Sequence, residues 1–181
     1  MISESHWQQM KEESLPRALT AGVLREGFLK NLDVTRVEAW LAGTRKYSKP
    51  LLGEGSCFHV WKFDNIVVHE LKSLKVNKKK ERWVSGWLQA MERLEKLEIP
   101  LIPPVKLLNR EDFVAYIKPF GEYPSFPAKI PLTWAKQLDL DLAEHGLRLT
   151  DSDQVVFCKG IPFLYDLSDL RLSTDKQQWY W

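Results

Sequence analysis

Gly53 and Gly55 stand one residue apart in Leu52-Gly53-Glu54-Gly55-Ser56-Cys57-Phe58-His59-Val60, where one strand turns on glycine into the next. Small residues at such a turn let backbone N–H groups come close to a phosphate. The following β-type run, Val67-Val68-His69-Glu70-Leu71-Lys72, ends in charge. His69 reads either as a half-buried strand histidine or as a phosphate ligand, and an ordinary imidazole is mostly neutral at about pH 7. Lys72 at the strand end and Lys62 on the preceding strand are the nearby cations. Further along, Asp166 directly follows the apolar stretch Ile161 to Tyr165, an unusual place for a carboxylate that serves solvation alone. Asp151 and Asp153 lie in the loop Arg148-Leu149-Thr150-Asp151-Ser152-Asp153-Gln154, where carboxylates also commonly cap turns.

The elements that must position these residues follow from periodicity. Residues 1–46 read as two or three short helices, with Trp7, Met10, Leu19, Val23 and Leu24 near helical spacing and Pro16 at a helix start. Gly22 and Gly27 weaken the middle of this arm. Asp33 is the expected N-cap of a helix over Val34 to Leu41, stopped by Gly43. From Pro50 the pattern turns to strands, with Asp64-Asn65 as a tight turn. Glu81 to Leu97 is the strongest helical pattern, with a stripe of Trp83, Trp87, Met91 and Leu94, and Pro100, Pro103 and Pro104 end it. A hairpin is expected over Val105 to Leu108 and Phe113 to Ile117, a loop over 123–131, a helix from Leu132 to His145 stopped by Gly146, and a last hairpin turning at Lys159-Gly160. The order predicts an α+β fold in three segments, 1–48, 49–120 and 121–181.

Bulk properties narrow the function classes. The chain has 181 residues, 28% charged and 44% hydrophobic, the composition of an ordinary globular domain. A net charge of +2 carries no specific nucleic-acid signal, although Lys72, Lys75, Lys78, Lys79, Lys80 and Arg82 form a basic run. Cys57 and Cys158 suggest neither a metal site nor a disulfide framework, and reduced thiols are expected in the cytoplasm. No apolar run is long enough to span a membrane, and no secretory signal is visible. The terminal Trp179-Tyr180-Trp181 is expected to dock in a groove or meet a protein partner.

Taken serially, residues 51 to about 170 resemble the protein-kinase-like fold, including small bacterial sugar and lipopolysaccharide kinases and pseudokinases. Gly53-Glu54-Gly55 followed by Val60 resembles the glycine-rich nucleotide lid. Val67-Val68-His69 resembles the strand that carries the phosphate-binding lysine, with His69 in its place. The helix 81–97 stands where the family keeps the glutamate that pairs with that lysine, which implies Glu92, with Glu81 and Glu95 as alternatives. Leu97-Glu98-Ile99-Pro100 resembles the step before the second hairpin, and Ile117 to Gly121, with Lys118, the hinge that grips adenine. Leu142 to Leu147 resembles the entrance to the catalytic loop. If Gln154 stands for the metal-binding asparagine, the catalytic aspartate slot falls on Leu149; otherwise Asp151 or Asp153 serves as base. Phe163-Leu164-Tyr165-Asp166 resembles the strand that ends on the magnesium-binding aspartate.

The resemblance implies an antiparallel N-lobe sheet with one crossing helix, an abbreviated C-lobe, and extra N-terminal helices. It implies ATP and Mg²⁺ as ligands, with Gly53, Gly55, Val60, His69, Lys72, Glu92 and Lys118 around the nucleotide and Asp166 and Gln154 on the metal. The replaced lysine and the altered catalytic loop point to a pseudokinase-type binding or regulatory module. The alternatives are an active, divergent kinase of a small molecule, sugar or lipid headgroup, and a non-kinase α+β interaction protein.

Overall fold

The computed structural model describes residues 1–13, 21–43, 51–55, 57–72, 78–150 and 153–175. Readings that rest on Pro16, Leu19, Pro50, Lys75, Asp151, the side chains of Lys78 to Lys80, and Trp179-Tyr180-Trp181 lie outside the described residues. Helices α1 (Glu4–Glu12), α2 (Ala21–Asn31) and α3 (Val34–Ala42) precede strands β1 (Leu51–Glu54), β2 (Phe58–Phe63) and β3 (Ile66–Leu71). Helix α4 (Lys78–Leu94) leads to β4 (Lys106–Asn109) and β5 (Val114–Pro119). Then come α5 (Leu132–Glu144), β6 (Leu147–Leu149), β7 (Val155–Cys158), β8 (Ile161–Leu164) and β9 (Leu170–Leu172).

The class is α+β. Strands β1 to β5 form one antiparallel sheet in the order β1-β2-β3-β5-β4, while β7 pairs with β8 and β6 with β9. The sheet is covered on both faces. On one side Phe58, Val60, Val67, Leu71 and Tyr116 pack with Trp83, Trp87 and Met91 of α4. On the other, Trp61, Phe63, Val68, Ala115 and Ile117 pack with Val37 and Leu41 of α3 and Phe28 of α2. Double coverage explains why every residue of β5 is buried, and why its sequence shows an apolar run rather than alternation. The first core cluster also takes in Trp7, Trp134, Phe157 and Leu170, so it crosses all three expected segments. Trp7 sits edge-on to Trp134 at 5.7 Å and to Phe157 at 5.5 Å, which ties α1 to α5 and β7.

Local signals explain most boundaries. Asp33 Oδ1 accepts from the Arg36 amide at 3.0 Å, the expected N-cap. Gly146 takes φ +68° and stops α5 in a left-handed turn. Lys159 (φ 52°) and Gly160 (φ 79°) make the two-residue loop between β7 and β8 with both central residues left-handed. Two elements depart from expectation. Helix α4 starts at Lys78 and ends at Leu94, because Lys96 and Leu97 bond back to Arg93 and Leu94 and tighten the last turn. Helix α2 runs through Gly27, held by tertiary bonds from Arg25 to the carbonyls of Leu97 (2.7 Å) and Glu95 (2.8 Å). No helix among the described residues is long and apolar enough to cross a membrane.

Gly121 marks a close approach. A Cβ there would lie 2.5 Å from Val156 Cγ2 and 2.9 Å from Phe163 Cζ. The backbone pairing of Glu122 with Phe157 on the same strand as Val156 keeps the two segments from separating. Gly121→Ala is therefore expected to lose about 1–3 kcal/mol by overpacking, seen as a lower denaturant midpoint at unchanged slope.

Candidate functional site

The registers of β3 and β5 bring together the polar groups of the interior. Val67 pairs with Lys118 and His69 with Tyr116, so all four side chains leave the same face of the sheet, toward α4. His69 is 2% exposed and its ring stacks on Tyr116 at 4.3 Å with a 12° tilt. Burial, and then the nearby Lys118 ammonium, push the His69 pKa well below its usual value, so this imidazole is neutral in the folded protein. Its Nε2 has no hydrogen-bond partner among the described residues. Lys118 is 1% exposed; its Nζ donates to the Tyr165 carbonyl and lies 4.3 Å from the centre of the Tyr165 ring. Burial lowers the Lys118 pKa to about 7, against the opposing field of Asp166.

Asp166 follows β8 beside this cluster, close enough for its field to reach Lys118 and Tyr116. Its side chain is exposed, and Oδ1 accepts from the Ser168 amide at 2.8 Å, closing a small turn. Trp87 Nε1 donates to the Leu167 carbonyl at 3.1 Å, and Arg171 donates to the Ser168 carbonyl at 2.8 Å. The turn is thus tied to α4 and to β9. The Tyr165 ring lies 6.1 Å from His69 and 5.1 Å from Tyr123. Burial first, then the bond and charge of Tyr165, push the Tyr123 phenol up. Burial and the Asp166 carboxylate do the same to Tyr116.

The other expected residues are placed as follows. Gly53 lies on β1 opposite Val60, beside a bulge, and Gly55 donates to the Phe58 carbonyl at 3.0 Å. A Cβ at either glycine would meet nothing within 4 Å among the described residues, so no packing among them demands glycine there. Val60 is buried in the sheet–α4 core. Lys62 sits over the Phe120 ring at 4.1 Å. The Lys72 amide donates to the Cys57 carbonyl at 2.8 Å, and its side chain is half-buried. Glu92 and Glu81 are on the solvent side of α4, while Glu95 pairs with Lys106 at 2.8 Å. Asp153 is exposed and pairs with Lys129 at 2.7 Å. The Gln154 side chain is exposed, but its carbonyl accepts from the Tyr165 amide at 3.1 Å, which sets it beside the strand leading to Asp166. Leu149 is half-buried on β6.

The structure places His69, Lys118 and Asp166 near one another. Tyr116, Tyr123 and Tyr165, which lie beside them, were not among the expected site residues, and Trp87, expected in the core stripe of α4, also reaches this place. Once residues 114–119 form a strand, the two-residue period alone puts Tyr116 on the same face as Lys118. No local pattern marked Tyr123. For magnesium the described residues offer the Asp166 carboxylate and the Gln154 amide. No group of three or more His, Cys, Asp or Glu among them is placed to hold a metal ion. Mg²⁺ takes octahedral oxygen ligands, so this donor set does not by itself fit a protein-made magnesium site.

A separate groove of about 1190 Å³ runs between α2, the β2–β3 turn, residues 119–124 and the β7–β8 turn, and shares only Tyr123 with the polar cluster. Compared with known proteins, the chain matches no protein-family model and no curated protein.

Proposed function

We propose that the chain is a kinase-like module with degraded catalytic motifs, whose cleft recognises a ligand rather than transferring a phosphoryl group. The observation that carries this reading is His69. Where the resemblance expects a lysine, the side chain is buried, stacked and held neutral, so it offers no permanent charge to a nucleotide. The element order supports the kinase-like part: a lid-like turn, β3, a crossing helix, the β4–β5 hairpin, and a strand leading to Asp166. Phosphoryl transfer depends on positioned charge, and loss of one such group costs about 2–4 kcal/mol of transition-state stabilisation. In a phosphate-release assay with ATP, Mg²⁺ and a panel of sugars and lipid headgroups, the expected rate is the buffer background. Turnover that Asp166→Asn abolishes would overturn the reading.

One observation favours a second reading, an active divergent kinase. Lys118 places a cation one strand away from the histidine and within the field of Asp166. On that reading the same assay gives turnover, and Lys118→Met removes it.

A further inference from the structure

We infer that Lys118 Nζ and His69 Nε2 together form an oxyanion-binding subsite, taking a phosphate or carboxylate group. The inference rests on the proposed function only in taking the cleft to bind a ligand, and it holds with or without phosphoryl transfer.

The two side chains project from the same face of neighbouring strands, from the Val67–Lys118 and His69–Tyr116 pairs. Both are almost wholly buried. An ammonium carries three donors. The Tyr165 carbonyl accepts from Nζ, and the rings of Tyr165 (4.3 Å) and Phe163 (5.9 Å) lie nearby. The His69 Nε2 is a buried polar atom without a hydrogen-bond partner among the described residues. Such groups are rare in folded proteins and point to an unfilled role.

The surroundings select the sign of the ligand. The carboxylate of Glu70 leaves β3 on the other face, where Trp61 Nε1 donates to it at 3.3 Å. Asp166 is exposed and accepts from the Ser168 amide. The buried face therefore presents a cation and an imidazole able to offer Nε2–H, with no buried carboxylate among the described residues opposite them. A divalent cation would be repelled by this pair; an oxyanion would satisfy both. Burial lowers the Lys118 pKa to about 7 against the field of Asp166, and a bound oxyanion would favour its protonated form. Tyr123, 49% exposed, packs on Tyr165 beside the pair.

The test is thermal unfolding of the full chain with inorganic phosphate, ADP without metal, or acetate, each titrated against chloride at equal ionic strength. Lys118→Met and His69→Leu each replace a buried polar group by an apolar one of similar size, so both variants are expected to fold. Lys129→Met, at an exposed lysine paired with Asp153, is the control. At least one oxyanion is expected to raise the melting temperature of the wild type and of the control. Its apparent affinity falls about tenfold or more in Lys118→Met and about threefold to tenfold in His69→Leu. Tighter binding of ADP than of phosphate names a phosphate ester as the ligand, tighter phosphate names the free anion, and tighter acetate names a carboxylate. A shift that survives in Lys118→Met is a general salt effect and overturns the subsite, as does the absence of any shift in all three arms. Either failure leaves the phosphate-release result standing on its own.

Discussion

Trp87→Ala is expected to lose about 3–5 kcal/mol of folding stability, the range for removing a large buried aromatic. Trp87 is fully buried on α4, stacked 6.1 Å from Trp83 and packed against Phe58 at 5.2 Å and Tyr116 at 5.8 Å. Its ring fills the space between the sheet and α4. The indole N–H also holds the Leu167 carbonyl, one residue beyond Asp166. The substitution therefore removes packing and releases the turn that carries the exposed carboxylate. Trp87→Phe separates the two effects. It keeps much of the ring, loses the bond, and is expected to cost less than the alanine variant while still loosening residues 166–169. Equilibrium denaturation measures the first effect, and amide hydrogen exchange at Ser168 and Leu170 measures the second. Unchanged protection there in Trp87→Phe would show that Arg171, through the Ser168 carbonyl, holds the turn without help.

Stability is expected to rise with pH between about 7 and 9, and Lys118→Met is expected to abolish most of that rise. The Lys118 pKa is about 7 in the folded chain and near its ordinary value, about 10.4, when unfolded. Between those values the unfolded chain holds a proton that the folded chain has shed. Stability then increases with pH, at a limiting slope of about 1.4 kcal/mol per unit for one proton. Below about pH 7 both states are protonated and the folded state bears the whole cost of the buried charge. His69 acts in the same direction at lower pH. Its folded pKa is depressed, so stability rises as pH approaches the unfolded value of about 6.5 and is flat beyond it. Tyr116 and Tyr123 have raised pKa values and oppose the rise only when unfolded phenols ionise, near pH 10. The groups facing Lys118 are His69, Tyr116, Phe163, Tyr165 and Asp166; the Tyr165 carbonyl accepts from its Nζ, and Asp166 is the carboxylate whose field supports its charge. Asp166→Asn should therefore move the onset of the limb to lower pH. Denaturant midpoints across pH 5 to 9 check the wild type and both variants. A wild type with a flat profile above pH 7 would show that Lys118 keeps its proton in the folded state.

Several parts of the fold were legible because their signals are short-range. The Asp33 cap, the Asp64-Asn65 and Lys159-Gly160 turns, the Gly146 stop and the tryptophan stripe of α4 each depend on a few neighbouring residues. Strands β6 and β9 were not legible. Each has three residues, and they pair with one another across more than twenty positions, so neither shows a period of its own. The path of α2 through Gly27 was similarly hidden, because the groups that hold it belong to the segment after α4.

The candidate site divides along the same line. His69 and Asp166 stood out in the sequence as polar residues in or directly after apolar strands, while Lys118 entered only through the resemblance to a nucleotide-gripping hinge. Their residue types and the order of strands around them are matters of sequence alone. That Lys118 faces the same interior as His69, that His69 is stacked and neutral, that Glu92 faces solvent, and that Tyr165 meets Tyr123 were decided only by tertiary structure. Register between β3 and β5 and the coverage of both sheet faces set those facts. Burial and field at a titratable group depend on elements far apart in the chain, and no local pattern encodes them.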